Sequence, residues 1–379
     1  MALRSGMLSQ IGIVEESTYG TAVVSSMVFN ELVSESLSQM PAQIKSAGRL
    51  SGRRTRTTDQ QALGRIVVGG DLGLELTNKD LRKWFKQMFG GESGSGPYTY
   101  TPGDLTGLSA TIQVGRPGVG GTVHPFTYAG CKVASWEIAV KEGEEVTLGC
   151  TIVAQKEIGY RVTSGDGNTT NTSTSITSAT AEFGPDDVGK PISGTNIPAG
   201  ATIASVESTT AATLSAAATG TASTTVFTIG LALASASYSS AIQPFHYDHC
   251  SLTIAGSSVK VSEATLTGNN ALNDNRRFLG QRYIEEPLEA GIREYGGTLV
   301  GEFTDRTQYQ RFVNGLDAAL VVTFSNGTDS VAITENIRFT GTTPEDNGTD
   351  IVKQSLPFEA LATSAGADST TITAVVSAA

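Results

Sequence analysis

Apolar residues follow two periods along this chain. Over most of its length they alternate with polar ones, as in Cys131–Val140 (CKVASWEIAV) and Val146–Val153. That is the period-two signature of strands with one buried face. The KEGEE segment between these two runs places a hairpin turn at Gly143. A second hairpin joins LVVTF to SVAITENIRF through Ser325-Asn326-Gly327, and Asn-Gly is the strongest short hairpin signal. The period changes in two places. Leu81, Trp84, Phe85, Met88 and Phe89 fall at i, i+3, i+4, i+7 and i+8, one apolar face of an amphipathic helix. Thr77 with Asp80 resembles a capping box, with Asp in place of Glu or Gln, and Gly90 ends the helix. Tyr309, Phe312 and Val313 supply the face of a second helix, expected to run from Thr304 to Gly315. Both helices are expected to pack on β-sheet, because nearly everything else reads as strand.

The two helices belong to a repeat. GGDLGLELTNKDLRKWF (Gly69–Phe85) aligns without a gap on GGTLVGEFTDRTQYQRF (Gly296–Phe312). The pairs Gly69/Gly296, Gly70/Gly297, Leu72/Leu299, Glu75/Glu302, Thr77/Thr304 and Phe85/Phe312 share one offset. Upstream, Val33-Ser34-Glu35 matches Val261-Ser262-Glu263 at nearly the same spacing. A match that spans strand, turn and helix argues for a duplicated domain.

Between the copies, from about Gly159 to Ser240, the composition shifts to Thr, Ser, Ala and Gly. A linker is one reading of such a stretch. The turn chemistry and alternation of EFGPDDVGKPISGTNIPAGATIASV favour a small β domain, with Ile192, Ile197, Ile203, Val206 and Leu214 as its core. The flanks agree: Pro125-Phe126-Thr127-Tyr128 before Cys131 recurs as Pro244-Phe245-His246-Tyr247 before Cys250. The expected domains are therefore residues 1–157, an insert at 158–238, and a second copy at 239–379.

Composition narrows the function. Charged residues are 17% of the 379, below the roughly 25% of an average soluble domain. The net charge of −11 makes a poor grip for duplex DNA, which needs clustered cations, but suits a surface past which DNA slides. Three cysteines, Cys131, Cys150 and Cys250, do not form a disulfide framework. The opening MALRSGMLSQIGIVEES lacks the ~7–15-residue apolar run of a secretion signal. No stretch approaches the ~20 apolar residues of a membrane span. Synthesis in a reducing cytoplasm is the expectation.

Candidate chemistry is sparse. Gly184–Lys190 (GPDDVGK) fits the first seven positions of a phosphate-binding loop, but Pro191 stands where Ser or Thr must hold magnesium. It reads as two turns. His246, His249 and Cys250 have metal-ligand types, yet a structural zinc site needs four ligands. They read as a buried Cys at a strand start with two surface His. The acid pairs Glu15-Glu16, Glu144-Glu145, Asp186-Asp187 and Glu285-Glu286 adjoin turns or chain ends and read as solvated. No constellation supports an enzyme, a cofactor or a metal site.

One basic run stands out: Lys45, Arg49, Arg53, Arg54, Arg56 and Arg65 in a Gly- and Ser-containing loop or long hairpin. The second copy answers with Arg276, Arg277, Arg282 and Arg293 among Glu285, Glu286 and Glu289. The first loop carries no aromatic residues to stack bases. It is either a solvated loop or, with Arg276, Arg277 and Arg282, an inter-ring arm that docks on an acidic surface of another subunit, and charge complementarity of that kind sets register and partner.

The opening Gly12–Val23 (GIVEESTYGTAV), then Phe29-Asn-Glu-Leu and Ser34-Glu-Ser-Leu, and the later GG-x-L-x-x-E-[LF]-T before a helix, resemble tail tube proteins of long-tailed bacteriophages. The insert, with Asp187–Gly194 and Ile197–Ile203, is similar to small β modules of phage structural proteins. The resemblance implies a mainly β chain: two tandem β-sandwich or barrel tube domains, each with one flanking α-helix, plus a decoration domain. It implies polymerisation into stacked rings with an acidic lumen for DNA. It also implies partners in the tape measure protein, the tail terminator and the distal tail protein, and a place in the virion tail. Two tube folds per chain would favour trimeric, pseudo-sixfold rings over hexameric ones. A surface adhesin or carbohydrate-binding β protein is the main rival, and a capsid or decoration protein the second. Aromatics of only 7% count against the first.

Overall fold

The computed structural model describes residues 6–47, 54–341, 351–363 and 372–376. The protein is mainly β, with two α-helices among the described residues: α1 (Arg82–Phe89) and α2 (Thr307–Asn314). The chain divides into two compact units.

The larger unit comprises residues 11–112, 129–156 and 236–379. Its strands pair antiparallel in an order that repeats. Ser38–Lys45 pairs with Gln61–Glu75, which pairs with Thr147–Ala154, which pairs with the end of Val123–Lys141. The second copy has the same plan: Glu263–Asn269, Glu294–Glu302, Lys353–Ala360, then the end of Ser330–Phe339. The tandem tube architecture expected from the repeat is thus present in the strand pairing itself. Glu75 lies opposite Thr147, and its repeat equivalent Glu302 lies opposite Lys353.

The repeated Gly-Gly has a steric cause. A Cβ on Gly69 would overlap the carbonyl oxygen of Ile152, and one on Gly296 the carbonyl of Phe358. The second glycine of each pair meets the strand on the other side: Gly70 the carbonyl of Ser36, Gly297 that of Thr265. Close approach of three backbones excludes any side chain there.

Period-two alternation gives the sheet two unlike faces. Leu72, Leu74, Trp136, Ile138, Leu148, Leu266, Leu299 and Leu356 are buried on one. In copy one α1 closes this face, with Trp84, Phe85, Met88 and Phe89 fully buried. The Phe85 ring packs on Tyr100 at 5.5 Å and Phe89 on Trp136 at 5.4 Å. Trp84 donates from Nε1 to Asn30 Oδ1 at 2.8 Å. The helix starts at Arg82 with Leu81 as its cap residue. Thr77 instead donates to the Lys79 carbonyl and Asp80 takes a positive φ of 63°, so the expected capping box does not form.

In copy two α2 starts at Thr307, whose N–H bonds to Asp305 Oδ1 at 2.7 Å. Gly315, left-handed at φ 60°, ends it. No residue of α2 is fully buried. Tyr309 and Phe312 are half-buried and Val313 is exposed, so this face does not close over a core as its copy-one counterpart does. The reason lies in the chain immediately beyond each helix. Residues 90–109 after α1 supply the hairpin Gly90–Ser93 and Tyr98–Pro102, whereas residues 315–317 lead from α2 straight into Ala318–Ser325.

The smaller unit comprises residues 157–235 with Gln113–Tyr128 and the described residues up to Gln10. It holds a five-stranded sheet (Ile203–Ser208, Ala211–Leu214, Ser175–Thr177, Gly167–Thr169, Ala222–Thr225) and a three-stranded one (Arg161–Val162, Phe227–Ile229, Ile192–Gly194). Ile192, Ile203 and Leu214 lie in its core, with Ile197 and Val206 packed against it. Phe183 and Phe227 complete that core.

Candidate functional site

Lys45 ends the strand Ser38–Lys45, opposite Gln61, and so sits on a long hairpin that extends from the copy-one sheet. A turn at Thr58–Gln60 stabilises the returning arm, where the Gln60 side chain accepts from the Thr57 N–H at 3.1 Å. Arg54, Arg56 and Arg65 are exposed on this arm. Arg56 donates to the Ser46 carbonyl at 3.2 Å. Arg49 and Arg53 lie outside the described residues.

The copy-two loop meets the base of this hairpin. The Arg282 carbonyl accepts the Ile66 N–H at 2.8 Å. Arg276 and Arg277 donate to the Glu286 and Arg282 carbonyls. Burial, and then the nearby Arg65, push the Arg277 guanidinium below its usual value. The fold therefore brings Arg65, Arg277 and Arg282 together, while Lys45, Arg54 and Arg56 stay further out on the hairpin.

The second feature is the junction between the copies. The edge of copy one, Ser135–Lys141, pairs antiparallel with the first strand of copy two, Glu263–Asn269. Lys141 and Glu263 form an ion pair at 3.3 Å at its end. Beside it, Lys132 reaches Glu286 at 2.5 Å and the Leu105 carbonyl at 2.6 Å. Its side chain is 2% exposed, so this pair is a buried cross-copy tie.

The third feature is the face of the combined sheet opposite the buried one. It presents Asp71, Glu75, Glu137, Glu263, Glu294, Glu302 and Glu359 with Thr147, Thr151, Thr265, Thr267 and Thr298, against Lys141 and Lys353. A concavity of about 1470 Å³ is lined in part by Asp71, Glu137, Thr151, Asn269, Glu294 and Glu359. Carboxylates spread in this way repel polyanions, and the neutral hydroxyls between them add no positive charge to hold one.

The acid pairs read as solvated are in several cases anchors. Glu16 is buried and accepts from Ser109, Thr111, Gly20 and Gly130. Burial opposes the charge on Glu15, but Lys83 and Lys86 of α1 hold its carboxyl below the usual range. Asp187 is bound by Arg161 and Lys190, so the lysine of the phosphate-loop look-alike serves its own turn. Sequence reasoning missed these because the partners are distant in the chain. The metal-type cluster is also composed differently. Asp248 joins His246 and His249, with ligand atoms within 4.8 Å of one another. Cys250 stays out, and burial pushes its thiol up to about 11.

The family model for phage tail tube protein matches residues 6–210 and matches again at 168–360. The chain belongs to that family. No curated protein matches it. As a tail tube protein it is a structural component of the virion tail that assembles with itself and with other tail proteins. The double match agrees with the repeated strand order and with the two Gly-Gly crossings. Among the described residues of this tail tube protein, no helix is long and apolar enough to cross a membrane.

Proposed function

We propose that this chain polymerises into stacked rings that form a hollow conduit for DNA ejection, with three chains per ring. Each chain supplies two of six tube positions: residues 1–157 form one, residues 239–379 the other. Residues 158–238 form a decoration domain carried on the outside, since a bulky domain inside would block the bore. The observation that carries this reading is the junction of Ser135–Lys141 with Glu263–Asn269. One chain already contains one copy-to-copy step, and repetition of that step from chain to chain generates a closed heterologous ring.

The acidic, hydroxyl-bearing sheet face is the lumen in this reading. Duplex DNA carries a charge every ~1.7 Å, so a basic wall would trap it and an acidic one lets it pass. The hairpin with Lys45, Arg54 and Arg56 docks on an adjoining subunit, while the tape measure, terminator and distal tail proteins occupy the bore and the two ends. Charge does not separate trimeric from hexameric rings; the duplication favours the trimer. Assembly takes place in the host cytoplasm. Negative-stain microscopy of the concentrated protein tests the reading: hollow tubes are expected, and particles that stay monomeric under all assembly conditions would overturn it.

A further inference from the structure

Resting on that ring reading, we propose that the hairpin of Ser38–Lys45 and Gln61–Ile66 covers the exposed end of α2 in a second copy of this chain. Among the described residues, two apolar surfaces stay exposed. On α2 and just beyond it, Val313 is 60% and Leu316 51% exposed. On the hairpin, Met40 is 59% and Ile44 63% exposed. Single exposed apolar residues are common, but neighbouring ones on regular structure form a patch that an interface can cover.

The duplication says which surface meets which. Phe85 and Phe312 correspond, so Phe89 at the end of α1 corresponds to Leu316 at the end of α2. In copy one that end is covered by the two ends of the copy-two segment between the strands Glu263–Asn269 and Glu294–Glu302, and by Tyr295 at the start of the second strand. Asn270 Nδ2 donates to the Met88 carbonyl at 3.1 Å. Arg293 donates to the Phe89 carbonyl at 2.9 Å. The Tyr295 ring stacks on Phe89 at 6.3 Å. The segment at the same place in copy one, between the strand that opens the sheet and the Gly-Gly strand, is the hairpin. If the copy-to-copy step repeats between molecules, the hairpin lies over α2 as the copy-two segment lies over α1.

Within one chain the hairpin leaves Val313 and Leu316 exposed. In strand order it opens copy one, five strand spacings, about 24 Å, from Glu294–Glu302, the strand that leads to α2. Among the described residues no segment of the same chain covers this end of α2, so the occupant is taken from a second copy. The short link 315–317 fits the same picture, because the hairpin that shields α1 has no counterpart there.

Cysteine pairing tests this in a Cys250→Ser background, since Cys131 and Cys150 are buried. Chains carrying Met40→Cys or Ile44→Cys are mixed with chains carrying Leu316→Cys, assembled and oxidised. A disulfide-linked dimer is expected from the mixture and from neither chain alone. A chain carrying Ile44→Cys and Leu316→Cys together should give linked species that stop at the trimer. Normal tubes with no cross-link from either pair would overturn the inference and leave the ring reading standing. Wild-type chains that form no tubes would overturn the ring reading itself. As a second measurement, Leu316→Lys should lower tube yield at least tenfold with an unchanged melting temperature of the free chain, and an unchanged yield would overturn the inference.

Discussion

Phe85 and Phe312 occupy equivalent positions of the two repeats, yet Phe85 is fully buried and Phe312 is only half covered. The difference shows that α2 is packed less closely than α1 among the described residues. Phe85→Ala should destabilise the free chain by about 3–5 kcal/mol, the usual cost of emptying an aromatic core site. Phe312→Ala should cost about 1 kcal/mol in the free chain, because far less apolar surface is lost. Urea unfolding of the unassembled protein compares them. Equal losses would mean that α2 is as firmly packed as α1.

The Lys132–Glu286 tie binds the two copies. Removing one partner of a buried ion pair leaves the other charge uncompensated, so Glu286→Leu should cost about 3–5 kcal/mol. Lys132→Met with Glu286→Leu should recover most of that loss, because two apolar residues replace the pair without leaving a buried charge. Thermal melts of the singles and the double form the test cycle.

Glu335 is a buried acid with neither oxygen hydrogen-bonded. Burial pushes its carboxyl up to about 8 from an ordinary 4.5. Between those values the folded chain holds a proton that the unfolded chain releases. Stability should therefore fall as pH rises through that window and level off above about 8. Glu335→Met should flatten the slope and add about 3 kcal/mol at pH 7. A pH series of melting temperatures for both proteins reads the effect.

The Gly-Gly crossings should be intolerant of any Cβ. Gly297→Ala must displace the Thr265 backbone, and an overpacking cost of about 2–3 kcal/mol is expected. Gly149→Ala is the control: its Cβ would meet only the Glu137 carbonyl, at 3.9 Å. It should change stability by less than about 0.5 kcal/mol.

Much of this fold is written locally in the sequence. The alternation in CKVASWEIAV, the Asn326-Gly327 turn and the 81–84–85–88 face of α1 depend on near neighbours, and each is found where its pattern lies. The duplication was legible because the Gly-Gly crossing tolerates no substitute. The features that stayed hidden depend on distant partners. Nothing near Glu16 in the chain announces Ser109, Thr111 and Gly130 as its donors. The apolar pattern of Tyr309, Phe312 and Val313 reads as a core face, yet among the described residues α2 lacks both the hairpin that follows α1 and the second-copy contacts over its end. Arg277 and Arg65 come together through the return of the copy-two loop, which no spacing in the sequence encodes.

Each ring is expected to hold three chains presenting six tube folds. End-on class averages of assembled tubes by cryo-electron microscopy count the chains in each ring. Three outer projections around six equivalent inner lobes are expected, with mass per ring equal to three chains. Six projections and six chains per ring would contradict it.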